Sequence, residues 1–369
     1  MTKTWIAAAV LLAAIAPAEA GITHEAWGGL NGKGVDLFIL TNARGMEARI
    51  TNYGAVITAI RVPGRDGAAV NVVQGFDSLA DYTGPDYKGR YGAVIGRFAN
   101  RIKDNSFKIG DITYRISRDP YTLKGTENRP YDERVWDAEP KDGNEPQLIL
   151  RLTDRNGTMG YPGTVKVEVT YTLTRNNVLR IAYHARSDKD TIFNLTNHAY
   201  FNMAGDTSGS VLDQLLTVNA DMITAVDDKN VPTGEMRAVA GTAFDFRQPT
   251  PVGTHINDPD PYIQRAGGFD HNFALRGKPG QMHLAARLQD PKSGRMLEEW
   301  TTQPGLQVYS ANYQGPTAAL AKGYAVHTAV ALEAQGFPNA PNIPSFPSTL
   351  LPRDTSYDEV TEYRFKVAP

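Results

Sequence analysis

The chain alternates apolar and polar residues with a period of two. Val165, Val167, Val169, Tyr171 and Leu173 alternate with Lys166, Glu168, Thr170, Thr172 and Thr174, the pattern of a strand with one buried face. After the turn residues Asn176-Asn177, Leu179, Ile181, Tyr183 and Ala185 alternate with Arg180, Ala182, His184 and Arg186. The two runs predict an antiparallel hairpin with His184 on its solvated face, where it has no role. Residues 35–40, 48–50, 56–62, 147–152 and 306–311 predict further strands. Glycine and proline punctuate the whole length, and no long amphipathic helix stands out. The proline-containing stretches 258–262 and 338–352 read as ordered loops, since neither has the Gly/Ser composition of a flexible linker. These elements predict an all-β fold, a large antiparallel β-sandwich with long functional loops, as one domain over residues 21–369.

The first twenty residues break this pattern. Lys3 precedes an apolar run over residues 6–15, and Ala18-Glu19-Ala20 offers small residues at the two positions a signal peptidase reads. The run is too short for a comfortable transmembrane helix. The expectation is a signal peptide over residues 1–20, cleaved after Ala20, and a periplasmic or secreted protein that begins at Gly21 and is not held on a membrane. The charge changes little: 38 basic against 40 acidic residues leave a net −2. That balance carries no electrostatic footprint for nucleic acid or an acidic membrane. With no cysteine in the chain, disulfides and thiolate metal sites are excluded.

Two segments concentrate chemistry. Asn194-Leu195-Thr196-Asn197-His198-Ala199-Tyr200-Phe201-Asn202 crowds amides and a hydroxyl around a histidine, the side chain whose ordinary pKa lies nearest neutrality. Asn194, Thr196 and Asn197 are placed to orient its ring, and the rings of Tyr200 and Phe201 suit the apolar face of a sugar. Ala331-Leu332-Glu333-Ala334-Gln335-Gly336 sets a glutamate among apolar residues near the end of a strand. A carboxylate there is paired, hydrogen-bonded or functional, because burying it alone is costly. Burial would also make it a stronger base. Weaker clusters surround Arg97, Asn100 and Arg101, then Asp270, then Gln307. Arg97 reads equally well as a structural ion-pair partner, and His271 reads as a packing residue. Directional hydrogen bonds beside aromatic faces are what a neutral polyol needs. There is no P-loop, dinucleotide fingerprint or His-Glu-x-x-His motif, and the seven histidines form no metal set.

With these residues in hand, the chain resembles the aldose 1-epimerases, or galactose mutarotases. The resemblance runs in order through Asn52-Tyr53-Gly54-Ala55, Gly75-Phe76-Asp77, residues 96–102, Met159-Gly160-Tyr161-Pro162-Gly163 and residues 194–202. It continues through Thr233-Gly234-Glu235, then residues 241–247, 268–273 and 332–342. It implies a galactose mutarotase-like β-sandwich with an open sugar-binding cleft and no cofactor or metal. The partner is a small monosaccharide, and the protein is a monomer or homodimer. The family's catalytic histidine and glutamate match His198 and Glu333, and its sugar-binding residues match Asn100, Arg101, Tyr200, Asp270 and Gln307. The implied chemistry is acid–base ring opening and reclosure, with Glu333 taking the C1 hydroxyl proton and His198 donating to the ring oxygen.

The chain departs from the family at one place. A second active-site histidine in a Leu-His-Gly-Gly turn is replaced here by Leu123-Lys124-Gly125-Thr126. Lysine has three donors, no acceptor and a compact charge. A cleft-facing Lys124 would disfavour protonation of His198 and favour an acidic sugar; a Lys124 turned to solvent would leave the cleft more open. Two further readings stand beside the epimerase: a sugar-binding module with weakened catalysis, and a glycoside hydrolase or lyase. The second would need an acid such as Asp270 opposite Glu333.

Overall fold

A computed structural model describes residues 19–84, 89–117, 128–313 and 322–368. Lys124 lies outside them. Every ladder between its strands is antiparallel. Two large sheets dominate. The nine-stranded sheet runs Asp137–Lys141, Gln147–Asp154, Val165–Leu173, Val178–Ser187, Ser356–Val367, Arg295–Thr301, His283–Gln289, Leu215–Val218 and Thr250–Pro251. The seven-stranded sheet runs Pro232–Ala238, Ala220–Val226, Asp270–Leu275, Gly305–Tyr309, Val330–Gln335, Tyr200–Phe201 and Val73–Gln74. A five-stranded sheet runs from Gly21–Leu30 to Ala69–Asn71.

The expected hairpin forms, with Val169 opposite Tyr183. Asn177 takes a φ of 59° at its turn, a left-handed conformation that asparagine tolerates. Its apolar positions enter the main core with Phe201, Leu306, Val308 and Leu332 of the seven-stranded sheet. The Phe201 ring meets Tyr363 edge-on at 5.0 Å across the two layers. Phe201 therefore belongs to the core and not to a sugar-facing surface, contrary to the expectation from sequence. A second correction concerns residues 258–262. Asp260 accepts from the Tyr262 N–H at 2.9 Å, and Pro261 opens the short helix Pro261–Ala266. An acidic cap followed by proline at the first helical position is a helix start.

The seven-stranded sheet positions the chemistry through its period of two. On Val330–Gln335, residues 330, 332 and 334 join the main core, which turns Ala331, Glu333 and Gln335 to the opposite face. Glu333 pairs across the ladder with Gln307, and Gln307 with Asn272. One row along, Tyr200 pairs with Ala331, Ala331 with Tyr309, and Tyr309 with Asp270. The polar residues of four neighbouring strands thus share one face.

Candidate active site

Glu333 and His198 meet on this face. Glu333 Oε1 lies 3.6 Å from His198 Nε2, and both side chains are largely shielded from solvent. Burial pushes the Glu333 carboxyl up to about 8; Asp270 adds to the rise, while Arg101 and Arg90 oppose it. Burial pushes the His198 imidazole down to about 4, helped by Arg90 and opposed by its own backbone and Asp270. Each group thus favours its neutral form, the expected response to a low-dielectric site.

Asp270 anchors the neighbouring polar set. It accepts from Arg101 Nη2 at 2.7 Å and from Gln307 Nε2 at 2.6 Å. Asn100 has a φ of 67°, and its Oδ1 accepts from the Arg101 N–H at 2.9 Å. The Arg101 carbonyl accepts from the Asn339 N–H at 2.7 Å, which ties this loop to the segment following Glu333. Gln307 Oε1 is buried without a hydrogen-bond partner among the described residues. An amide oxygen left in that state on the site face is suited to accept from a ligand hydroxyl.

The structure brings His198, Glu333, Asn100, Arg101, Asp270 and Gln307 to one site. Tyr200 is present in a different capacity from the one its ring suggested. It is 3% exposed, its ring lies 4.8 Å from that of His198, and its hydroxyl donates to the Gly89 carbonyl at 2.9 Å. Tyr200 therefore forms a wall against the imidazole. The residues expected to orient that imidazole do other work. Asn197 Nδ2 donates to the Gly92 carbonyl at 2.8 Å. Asn194 Oδ1 accepts from the Gly336 N–H at 2.8 Å, and its Nδ2 donates to the Ala99 and Gly336 carbonyls. They brace backbone segments, while Thr196 Oγ1 and His198 Nδ1 have no hydrogen-bond partner among the described residues.

Three residues at the site were not singled out from sequence. Tyr309 stands two residues beyond Gln307 on the same face, so strand periodicity was its signal. Tyr313 stacks on Tyr309 with ring centroids 6.1 Å apart and is 65% exposed, an aromatic surface at the rim. Arg90 acts on both members of the pair, and its signal was a cation set between Gly89 and Gly92.

The remaining polar candidates lie elsewhere. Arg97 is a buried structural cation: its Nε donates to Asp154 Oδ2 at 2.7 Å, and Arg134 and Tyr131 complete the cluster. His271 packs against Phe244 and Tyr262. His184 is exposed beside Asp358. A surface groove of about 1030 Å³ is lined by Arg237, Asp245, Arg247 and Asp260, away from the His198 cluster. Its arginines are paired with carboxylates.

A family model for aldose 1-epimerases matches residues 36–364. Human galactose mutarotase is 39% identical over 327 residues, which are 88% of this chain and 92% of that protein. The aldose 1-epimerase of Escherichia coli K12 is 32% identical over 340 residues, 91% of this chain and 96% of that protein. The structure of galactose 1-epimerase from Lactobacillus acidophilus superposes with a TM-score of 0.83 at 28% identity, covering 95% of this chain and all of that one. By sequence, by fold and by its relatives, this chain belongs to the aldose 1-epimerase family and is an isomerase.

Proposed function

We propose that the protein is an exported aldose 1-epimerase that interconverts the α and β anomers of a free, neutral aldose of the glucose or galactose class. The observation that carries this reading is the 3.6 Å approach of Glu333 to His198, beside the Arg101–Asp270–Gln307 set. A pair displaced to about 8 and about 4 holds one proton between those values. Anomerisation consumes no net proton, so one shared proton suffices. In the minor, charge-separated arrangement of that single proton, Glu333 as carboxylate takes the C1 hydroxyl proton. His198 as imidazolium donates to the ring oxygen as the C1–O5 bond breaks. The aldehyde turns about C1–C2, and the reversed transfers close the other anomer. A well-placed acid or base contributes about 10²–10⁴-fold.

Among the described residues, charge favours a neutral sugar: Arg90 pairs with Asp132 and Arg101 with Asp270, and the pair with its single proton adds nothing. Asn100, Arg101, Asp270 and Gln307 supply the hydroxyl contacts, and Tyr313 the stacking ring. For export, the support is the sequence of residues 1–20, the charged, apolar and small-residue pattern that a signal peptidase reads.

The test follows anomer exchange of fresh α-galactose, α-glucose and α-galacturonate by NMR, with protein comprising residues 21–369. Exchange of the neutral sugars well above the buffer rate, lost in Glu333→Gln and His198→Asn, is the expected result. Binding without exchange would replace the enzyme by a sugar-binding module, and preference for the uronate would overturn the neutral assignment. Periplasmic fractionation with N-terminal sequencing tests export; an uncleaved Met1 would refute it.

A further inference from the structure

Arg90 occupies a turn built against the backbone of His198. Its φ of 55° lies in the left-handed region that side chains rarely adopt, an outlier of the kind that clusters at functional sites. The turn is stitched to the His198 segment. The Gly92 N–H donates to the His198 carbonyl at 2.9 Å, and the His198 N–H donates to the Ala93 carbonyl at 2.9 Å. The Tyr200 hydroxyl holds Gly89, and the Ala93 N–H closes the turn on the Arg90 carbonyl at 3.1 Å. The guanidinium is clamped as well. Its Nη1 donates to Asp132 Oδ2 at 3.2 Å, with the arginine side chain 47% exposed and the aspartate 4% exposed. Asp132 Oδ1 is buried without a hydrogen-bond partner among the described residues. A buried carboxylate with one oxygen unmatched leans heavily on the cation it does have.

We propose that Arg90 is a positioning residue for the proton-transfer pair: held on Asp132 and on the backbone of His198, it sets the pH window in which His198 and Glu333 share one proton. The inference rests on reading that pair as the acid and base. A fixed positive charge disfavours the imidazolium and favours the carboxylate, so it lowers both limits of the window together. The other groups around the pair act differently. Arg101 opposes the rise of Glu333, and Asp270 raises both members. Tyr200 and Tyr309 pack against the imidazole as rings. Glu299 lies on the core side of the sheet, where Glu333 adds to its own rise.

The experiment is the pH profile of kcat/KM for α-galactose anomerisation in wild type, Arg90→Asn, Arg90→Lys and Asp132→Asn. Asparagine removes the charge and tolerates the left-handed backbone. The expected result for R90N is that both limbs move to higher pH by roughly half a unit, a roughly threefold rate change at fixed pH on either limb. R90K restores the wild-type limbs. D132N moves both limbs to lower pH, because the negative charge of Asp132 no longer offsets the cation; this variant also keeps the inference testable should R90N misfold. A change in KM with both limbs in place would make Arg90 a direct substrate contact and overturn the inference. Limbs that move in opposite directions, or not at all, would overturn it too. No activity in wild type would instead refute the function on which it rests.

Discussion

Glu333 Oε1 faces His198 Nε2 at 3.6 Å, and burial moves the two acidities in opposite directions. Below about 4 both groups are protonated and no base remains; above about 8 both are deprotonated and no acid remains. We expect kcat/KM to be bell-shaped, level between those limits and falling about tenfold per pH unit outside them. The limits belong to the pair, because proton on His198 and proton on Glu333 are two forms of one protonation state. Glu333→Gln and His198→Asn should each cost about 10²–10⁴-fold in kcat. A profile flat from pH 3 to 9 would show that neither group transfers the proton.

Asp270 joins binding to acidity. It holds Arg101 and Gln307 and raises both members of the pair. Asp270→Asn turns a double acceptor into a group that presents a donor to donors. Hydrogen bonds to charged groups contribute about 1.5–3 kcal/mol, so kcat/KM should fall about 10–100-fold, mostly through KM. Loss of the negative charge lowers both limits, so the remaining activity should peak at lower pH. An unchanged optimum would show that Asp270 binds without tuning.

Tyr313 is the exposed ring at the rim. Stacking contributes about 0.5–1.5 kcal/mol beyond area, so Tyr313→Ala should raise KM about two- to tenfold, with kcat and the pH limits in place. Tyr313→Phe should behave as wild type. A fall in kcat alone would argue against a stacking role.

How much of this could be read beforehand follows from the range over which each signal acts. Alternation is local, so the hairpin of Val165–Leu173 and Val178–Ser187 was visible, as was the unusual setting of Glu333. The roles of Asn194 and Asn197 were misread because the atoms they hold, at Ala99, Gly336 and Gly92, are remote in sequence. Arg97 stayed ambiguous because its partner Asp154 lies 57 residues away. Phe201 and Tyr200 look alike in sequence, yet the pleat sends one into the core and sets the other against His198. Relative position on the sheet separates them, and that depends on which strands become neighbours.

Glu299 is a buried carboxyl that neither binding nor proton transfer uses. It lies on Arg295–Thr301, opposite Ala286 and Tyr363, with no exposed surface. Neither carboxyl oxygen has a hydrogen-bond partner among the described residues. Burial pushes its pKa well above the usual carboxyl range; the Ala334 amide tempers the shift without meeting hydrogen-bond geometry, and Glu333 adds to it. A carboxyl whose pKa is raised by folding binds its proton more tightly in the folded state. The folded state is therefore most stable, as far as Glu299 is concerned, below the ordinary value of 4.5, and that stability is lost as pH rises from there through the folded value. Glu299→Val places a β-branched apolar residue of similar volume in a strand interior. It removes an unsatisfied buried group, a cost of about 1–3 kcal/mol. The variant should melt above wild type, and the gap should widen from pH 5 to pH 9 while anomerisation is retained. Thermal denaturation across that range decides it: a melting temperature below wild type at every pH would mean that the carboxyl is held by contacts worth more than its burial costs.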